Sequence, residues 1–205
     1  ISTSVSSVNI EVANLNGKAI AGGLVGMVEF SEISNCYATG SVSTKSNKAS
    51  TAGGLIGLID AMVAGTTKVS YCYATGELSA IATEKSSYAG GVVGNCEVLI
   101  SGNKLVGDVT IENCMYVGNK ITARGTNKAH AGAIISCVEG NTSSLTIVIS
   151  NCNYLKTVNI ISNGTVDSKT NSQGKGYSTL SELIPTISWD NNIWEVTGSA
   201  LPILK

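Results

Sequence analysis

The chain repeats one short pattern, and this internal repetition limits the folds open to it more than any other feature. The pattern has two halves that recur in the same order. The first half reads Ala-Gly-Gly-Leu-Val-Gly-Met-Val in its best copy. Its four copies occupy 21–28, 52–59, 89–96 and 131–138. The second half is Ile-Ser-Asn-Cys-Tyr-Ala-Thr-Gly and occupies 33–40, 69–76, 111–118 and 149–156, with a fainter copy at 10–17 that has Ala13 in place of Cys.

The spacing between copies predicts a stack of coils. Successive first halves start 31, 37 and 42 residues apart, so the anchors persist while the intervening length changes. In a solenoid such insertions become loops on one face, whereas in a single packed core they would disturb neighbouring contacts. We therefore predict repeats over 1–176, starting near residues 8, 21, 52, 89 and 131, and a separate capping segment at 177–205.

Composition and alternation predict that each half is a short strand. The chain has 23 Gly and only two Pro, together with many β-branched residues, which suits strands separated by tight turns. Cys36, Ala38 and Val42 share one face at period two, so small side chains are expected inside the coil. The first half is apolar on both faces, which predicts that its outer face is partly covered. The predicted class is an all-β parallel β-helix, for which a right-handed coil is the general expectation.

Both halves together resemble the GLUG motif, a pattern of roughly Gly-Gly-Leu-Val-Gly, a spacer and Asn-Cys-Tyr-Ala-Thr-Gly. The copies starting at Ala21 and Ala52 match closely, whereas Ala133, Ser136 and Lys156 depart from the motif's glycines. The resemblance implies a large bacterial cell-surface or secreted protein of adhesin type. Such repeats also accompany an immunoglobulin-A-cleaving metallopeptidase, but that activity needs a His-Glu-x-x-His zinc site and this chain has one His.

The C-terminal segment is predicted to cap the stack, because an end coil leaves backbone groups unpaired. Trp189, Trp194 and the Gly198 to Pro202 stretch resemble an ending often found after such repeats. Within this segment the pattern predicts a helical turn that Pro185 stops, followed by a strand over 187–196 that holds both Trp residues.

Two columns of the second half are predicted to form structural ladders. Asn tolerates left-handed backbone, so an Asn column suits a corner of the coil; its members are Asn35, Asn113 and Asn151, with Tyr71 as the exception. The Cys column predicts stacked, buried, reduced thiols rather than zinc ligands or disulfides, because no Cys-x-x-Cys pair occurs and parallel Cβ vectors suit a bridge poorly. Its members are Cys36, Cys72, Cys114 and Cys152.

The sequence gives little indication of a catalytic site or a metal site. An acidic column could bind Ca²⁺, but a solvated turn after each strand is the interpretation we favour; its members are Glu29, Asp60, Glu97 and Glu139. His130 is predicted to be an exposed loop residue. We therefore predict no catalytic residue, no cofactor and no metal, although paired carboxylates of a β-helical polysaccharide-acting enzyme stay open as a less favoured alternative.

The chain is accordingly expected to be a binding module rather than an enzyme. A net charge of −1 with scattered lysines argues against nucleic acid, and no apolar run is long enough to span a membrane. The favoured function is an adhesin-like module at the bacterial cell surface or outside the cell, with an unknown protein or glycan ligand held by the loops 60–68, 97–110 and 139–148. A structural stalk within a larger surface protein is the alternative, and we expect this chain to be a fragment of a longer polypeptide.

Overall fold

A computed structural model shows a parallel β-solenoid, which confirms the predicted fold class. The structure describes residues 1–61, 65–98, 108–140, 146–165 and 173–205, and the backbone of 167–171. The loops predicted to hold the ligand therefore lie in large part outside the described residues. Five coils follow one another along the chain, and all strand pairs between them are parallel.

The coils contain the following strands. Coils 1 and 2 contain β1 (Ser2–Ser6), β2 (Ile10–Asn14), β3 (Ala19–Gly22), β4 (Val25–Val28), β5 (Glu32–Ala38), β6 (Val42–Ser46), β7 (Ser50–Gly53) and β8 (Ile56–Asp60). Coil 3 contains β9 (Thr66–Ser70), β10 (Tyr73–Ala74), β11 (Leu78–Ala82), β12 (Ser87–Gly90) and β13 (Val93–Val98). Coils 4 and 5 contain β14 (Asp108–Glu112), β15 (Met115–Tyr116), β16 (Lys120–Gly125), β17 (Lys128–Gly132), β18 (Val138–Gly140), β19 (Ile147–Ser150), β20 (Asn153–Leu155), β21 (Asn159–Gly164) and β22 (Asp167–Asn171).

Coils 1 to 4 each turn through four sheets, numbered in chain order, and the described strands of coil 5 lie in the first three. Sheet 1 holds β1, β5, β9, β10, β14, β15, β19, β20 and a last strand, β23 (Lys175–Tyr177). Sheet 2 holds β2, β6, β11, β16 and β21; sheet 3 holds β3, β7, β12, β17 and β22; sheet 4 holds β4, β8, β13 and β18. Equivalent residues of successive coils are therefore register partners, and one column of side chains runs through the whole stack.

Sheet 1 bends in every coil at a residue with left-handed backbone. The values of φ are 49° at Thr3, 53° at Asn35, 55° at Tyr71, 52° at Asn113 and 51° at Asn151. Asn adopts this conformation more readily than most residues, which explains why it occupies three of the five positions. Because of this bend, side chains on both sides of the corner residue along the chain point into the same interior, as Ile33 and Cys36 do around Asn35.

The interior is a column-by-column stack of apolar side chains. Ile33, Val69 and Ile111 are fully buried in one column, and Val42, Leu78 and Ile121 are buried in another. Tyr116 departs from the predicted small lining, since it takes the place of Ala38 and Ala74 in coil 4 and is fully buried. Its hydroxyl donates to the carbonyl oxygens of Gly76 at 2.8 Å and Lys120 at 3.1 Å, so its polar end is satisfied inside the core.

The first coil has a different register from the one that the faint repeat copy predicts. Ala13 pairs with Lys45 in sheet 2, whereas Ser4 is the register partner of Cys36 in sheet 1. The prediction that 10–17 is a copy of the second half was therefore wrong. The apolar alternation of β2 fits any half-buried strand, so it did not distinguish sheet 2 from sheet 1.

The C-terminal segment, defined as 178–205, packs against the outside of sheet 1. It contains the short helix α1 (Leu180–Leu183), a 3₁₀ turn at Ile184–Thr186 and an antiparallel pair of β24 (Trp194–Glu195) and β25 (Ile203–Leu204). The predicted strand over 187–196 is confined to β24, because the Asp190 carboxylate and carbonyl accept from the amides of Asn192 and Trp194 and form a turn. No helix among the described residues has the length and apolarity needed to cross a membrane.

Candidate functional site

Trp189 and Trp194 attach the C-terminal segment to the outside of sheet 1. Their rings lie 4.7 Å apart, and Trp194 is fully buried against a stacked pair formed by Tyr37 and Tyr73, also 4.7 Å apart. Tyr73 donates from its hydroxyl to the Pro202 carbonyl at 2.8 Å, and burial raises the pKa of this phenol. These contacts join residues far apart in the chain and hold the segment across several coils.

The two indole N–H groups bind the corner column of sheet 1. Trp194 Nε1 donates to Asn35 Oδ1 at 3.0 Å in coil 2. Trp189 Nε1 donates to the Asn113 carbonyl oxygen at 3.1 Å in coil 4. The corner residues are thus hydrogen-bond acceptors for the C-terminal segment, a role that the prediction of a structural Asn ladder at the corner did not include.

A cleft opens where the C-terminal segment separates from coil 5. Its volume is about 710 Å³. Trp189 and Tyr177 contribute aromatic rings, and Lys175 is the charged side chain in this lining; the other lining residues are Asn113, Ile149, Asn151, Cys152, Asn153, Gly174, Thr186, Ile187 and Ser188. No carboxylate belongs to the described lining, so the cleft carries a net positive charge.

The outward column of sheet 1 explains why the cleft is polar. In coils 2 to 4 this column holds Tyr37, Tyr73 and Met115, which the C-terminal segment covers. In coil 5 it continues with Asn153 and then Lys175 of β23. The column therefore changes from apolar to polar at coil 5, where the C-terminal segment no longer covers it.

Three Asn side chains in the cleft have hydrogen-bonding capacity that the described protein atoms do not use. Asn113, Asn151 and Asn153 make no side-chain amide hydrogen bond with the described residues. Asn151 is exposed, and Asn153 is 9% exposed at the base of the cleft. Each amide offers two donors and an acceptor, so the cleft presents a set of neutral groups ready to bind a polar ligand.

Tyr177 lies in the same sheet as Asn153, two residues after Lys175 in β23, and lines the cleft. The Lys175 ammonium lies 4.9 Å from the centre of the Tyr177 ring. The pKa of Tyr177 is lowered, because the Thr186 hydroxyl and the Lys175 ammonium favour its ionised form. The Lys175 ammonium therefore lies over an aromatic ring although the residue is exposed.

The four cysteines of the predicted ladder lie in successive coils beneath this surface. Each is buried, and each thiol donates to the carbonyl two residues earlier, at 3.1 Å for Cys36 and Cys72, 3.2 Å for Cys114 and 3.4 Å for Cys152. The pKa of Cys36 is raised by its hydrogen bond to Cys72 and by burial, and burial raises that of Cys114. Burial also raises the pKa of Cys96 to about 12.

This burial predicts that the native protein reacts with thiol reagents at Cys137 only. Cys137 is partly exposed, whereas the other five cysteines are buried and form no disulfides, and a thiol that the reagent cannot reach stays inert while the protein is folded. We expect about one equivalent of 5,5′-dithiobis(2-nitrobenzoate) to react in buffer, none after Cys137→Ser, and six in guanidinium. Fast reaction of more than one thiol in buffer would contradict the buried arrangement.

The acidic column is in register but is not the solvated turn that the sequence favours. Asp60, Glu97 and Glu139 are partners within sheet 4, and Asp60 is only 7% exposed. Lys18 lies 3.2 Å from Glu97, and Lys128 lies 3.4 Å from Glu139. Within the described part of the chain, no group of three His, Cys, Asp or Glu residues is placed to hold a metal ion.

His130 also differs from its prediction as an exposed loop residue. It lies in β17 and is 5% exposed, with its ring edge-on to Tyr88 at 5.8 Å. Tyr88 occupies the same column one coil earlier. The loop prediction failed because the repeat was taken to start at Ala131, whereas the strands of sheet 3 begin two or three residues before the repeat's Ala, as in β7 and β12.

Comparison with known proteins agrees with the repeat and the fold. A family model described as the GLUG motif matches residues 19–43, which confirms the predicted resemblance in this part of the chain. The match runs from the start of β3 through β4 and β5 to the start of β6, so one motif is most of one coil. No curated protein matches the sequence.

A solved structure shares the fold. It is that of a Bacteroides ovatus protein described as a "putative immunoglobulin A1 protease", with a TM-score of 0.64 and 23% sequence identity. The alignment covers 96% of this chain and 55% of that one, so this chain spans little more than half of its structural neighbour. At this identity the similarity shows the fold alone.

Proposed function

We propose that this chain is an adhesin-like binding module that works outside the bacterial cell or at its surface and holds its ligand in the cleft beside coil 5. The observation that carries the proposal is the set of three Asn amides that make no hydrogen bond with the described residues, next to Lys175 and two aromatic rings. A polar side chain that folding does not use is available for a ligand. The GLUG motif and the solenoid neighbour support the extracellular setting.

Binding without catalysis is the form of the proposal that the chemistry of the cleft favours. Glycoside hydrolysis uses two carboxyl groups on opposite sides of the scissile bond. The described lining offers amides, hydroxyls and one ammonium instead. These groups bind and orient a ligand, and the described lining lacks the pair of carboxyl groups that glycoside hydrolysis uses.

The test is a binding screen with immobilised glycans and extracellular matrix proteins. Removing the amides of the exposed Asn151 and the buried Asn153 with Asn151→Gly and Asn153→Ala should weaken capture of any bound array member at least tenfold, since each hydrogen bond is worth about 1 kcal/mol. Glycine is chosen at residue 151 because it keeps the positive φ of 51° without strain.

Asn159→Ala provides the matched control, because Asn159 is an exposed asparagine in sheet 2, outside the cleft. It should leave capture unchanged. Capture that is equal for the cleft variant and this control would refute the cleft as the ligand site. Absence of capture by every array member would instead favour a structural stalk.

A further inference from the structure

The way the C-terminal segment binds sheet 1 shows what kind of group the open end of the cleft accepts. In coils 2 and 4, corner oxygens accept a hydrogen bond from an indole N–H, at 3.0 Å for Asn35 Oδ1 and 3.1 Å for the Asn113 carbonyl. The equivalent corner in coil 5 is Asn151, which has the same left-handed backbone but is exposed to the cleft. A ligand that donates a hydrogen bond can therefore take, at Asn151, the place that the indole N–H groups take at Asn35 and Asn113.

The neighbouring groups narrow the chemistry of that ligand. Asn153 lies two residues after the corner and offers an amide, and Lys175 is its register partner in β23, about 4.8 Å away along the stack. An amide both donates and accepts, as does a hydroxyl, so adjacent hydroxyl groups match Asn151 and Asn153. The ammonium of Lys175 pairs with a carboxylate through charge-assisted hydrogen bonds.

Among the remaining lining residues, Tyr177 has a partly accessible ring that can pack against the apolar face of a sugar. Tyr177 is half-buried, and Trp189 is 6% exposed with its N–H already bonded to Asn113. The described lining contains no carboxylate that would repel an acid.

We propose that the cleft binds an acidic glycan, with hydroxyl groups on the amides of Asn151 and Asn153 and a sugar carboxylate on Lys175. This inference rests on the proposed function, because it names the ligand class of the same cleft. Uronic acids and sialic acids share this chemistry, and the experiment separates them.

The experiment measures binding of the full chain by titration calorimetry with two pairs of probes. Tetragalacturonate is compared with neutral maltotetraose, and 3′-sialyllactose is compared with lactose. We expect the acidic member of at least one pair to bind at least tenfold more tightly than its neutral counterpart. This preference should shrink as salt is raised from 50 to 500 mM, since the ion pair is partly exposed.

Charge variants test the assignment of Lys175. Lys175→Gln should remove the preference for the acidic probe, and Lys175→Arg should keep it within about threefold. Lys120→Gln is the matched control, because it removes the same charge from an exposed lysine in sheet 2. It should change the affinity less than twofold.

Three outcomes would overturn the inference. Equal affinity for acidic and neutral probes, or a preference that survives Lys175→Gln, shows that the carboxylate contact is wrong. If neither acidic probe binds but a matrix protein binds in a manner that Asn151→Gly with Asn153→Ala abolishes, the glycan assignment fails and the binding module stands. If those cleft variants alter no binding at all, the proposed function fails as well.

Discussion

Replacing Trp194 with alanine is expected to lower the free energy of unfolding by about 3–5 kcal/mol, the usual cost of truncating a fully buried large aromatic side chain. The indole packs against Tyr37, Tyr73 and Trp189 and donates to Asn35 at 3.0 Å. Truncation removes all of these contacts together. It leaves a cavity between the C-terminal segment and sheet 1, which neighbouring rigid rings fill poorly.

Urea unfolding followed by far-ultraviolet circular dichroism measures this change, since the strands dominate that signal. Trp194→Phe should cost less than the alanine variant, because a ring remains and only the N–H donor and part of the packing are lost. Ile203→Ala is the control within the same β pair, since Ile203 is 49% exposed and should cost less than about 0.5 kcal/mol. A Trp194→Ala variant within 1 kcal/mol of the parent would contradict the attachment described here.

The second large effect is expected from a single methyl group between coils. An added Cβ at Gly57 would lie 2.5 Å from the Gly26 carbonyl oxygen and 2.8 Å from that of Ala21, both on the coil below. Backbone atoms in a parallel sheet cannot yield without breaking the ladder. Gly57→Ala should therefore cost about 3 kcal/mol or more, at the upper end of overpacking effects.

Gly26→Ala supplies the matched control in the same column. At Gly26 the nearest atom to an added Cβ is the Ile20 carbonyl oxygen at 3.9 Å, an ordinary contact. The two glycines occupy the same column in similar local sequences. A difference in melting temperature between the two variants therefore measures the effect of the contact between coils. Thermal melts of both proteins give the comparison, and equal melting temperatures would refute the close approach.

Coil 4 already shows how the stack responds to a side chain at this position. Ser136 stands where Gly57 and Gly94 stand in coils 2 and 3, and its hydroxyl donates to the Gly94 carbonyl. There the strand of sheet 4 begins only at Val138, whereas β8 and β13 begin one residue before the glycine. A side chain in this column is thus accompanied by a shorter strand.

The sequence predicted the features that depend on equivalence between repeats. Alternation identified short strands, spacing identified stacking, and the Asn column marked the left-handed corner, although Tyr71 shares its backbone with φ of 55°. These predictions succeed because a column position imposes the same steric demand in every coil. Residues that break the column, such as Tyr116 in the interior, were not predicted, since their packing depends on neighbours in adjacent coils.

The cleft could not have been predicted, because it depends on where a non-repeated segment docks. The sequence marked Trp189 and Trp194 as capping residues, but nothing in it specifies that they lie along the side of the stack. Asn153 and Lys175 belong to different strands, and their proximity follows from the pairing of β20 with β23. The sequence feature that could have pointed to these two residues is the change from Tyr or Met to Asn153 in the outward column at coil 5.

The attachment of the C-terminal segment has a mechanical consequence. Repeat arrays interact mainly with their nearest neighbours, so under tension their units can peel away one after another. Here Asn35 of coil 2, Tyr73 of coil 3 and Asn113 of coil 4 are each bonded to residues beyond 188. A force applied at the C-terminus must first break these contacts with three coils at once. The stack should therefore resist the force as a single unit and then unfold abruptly.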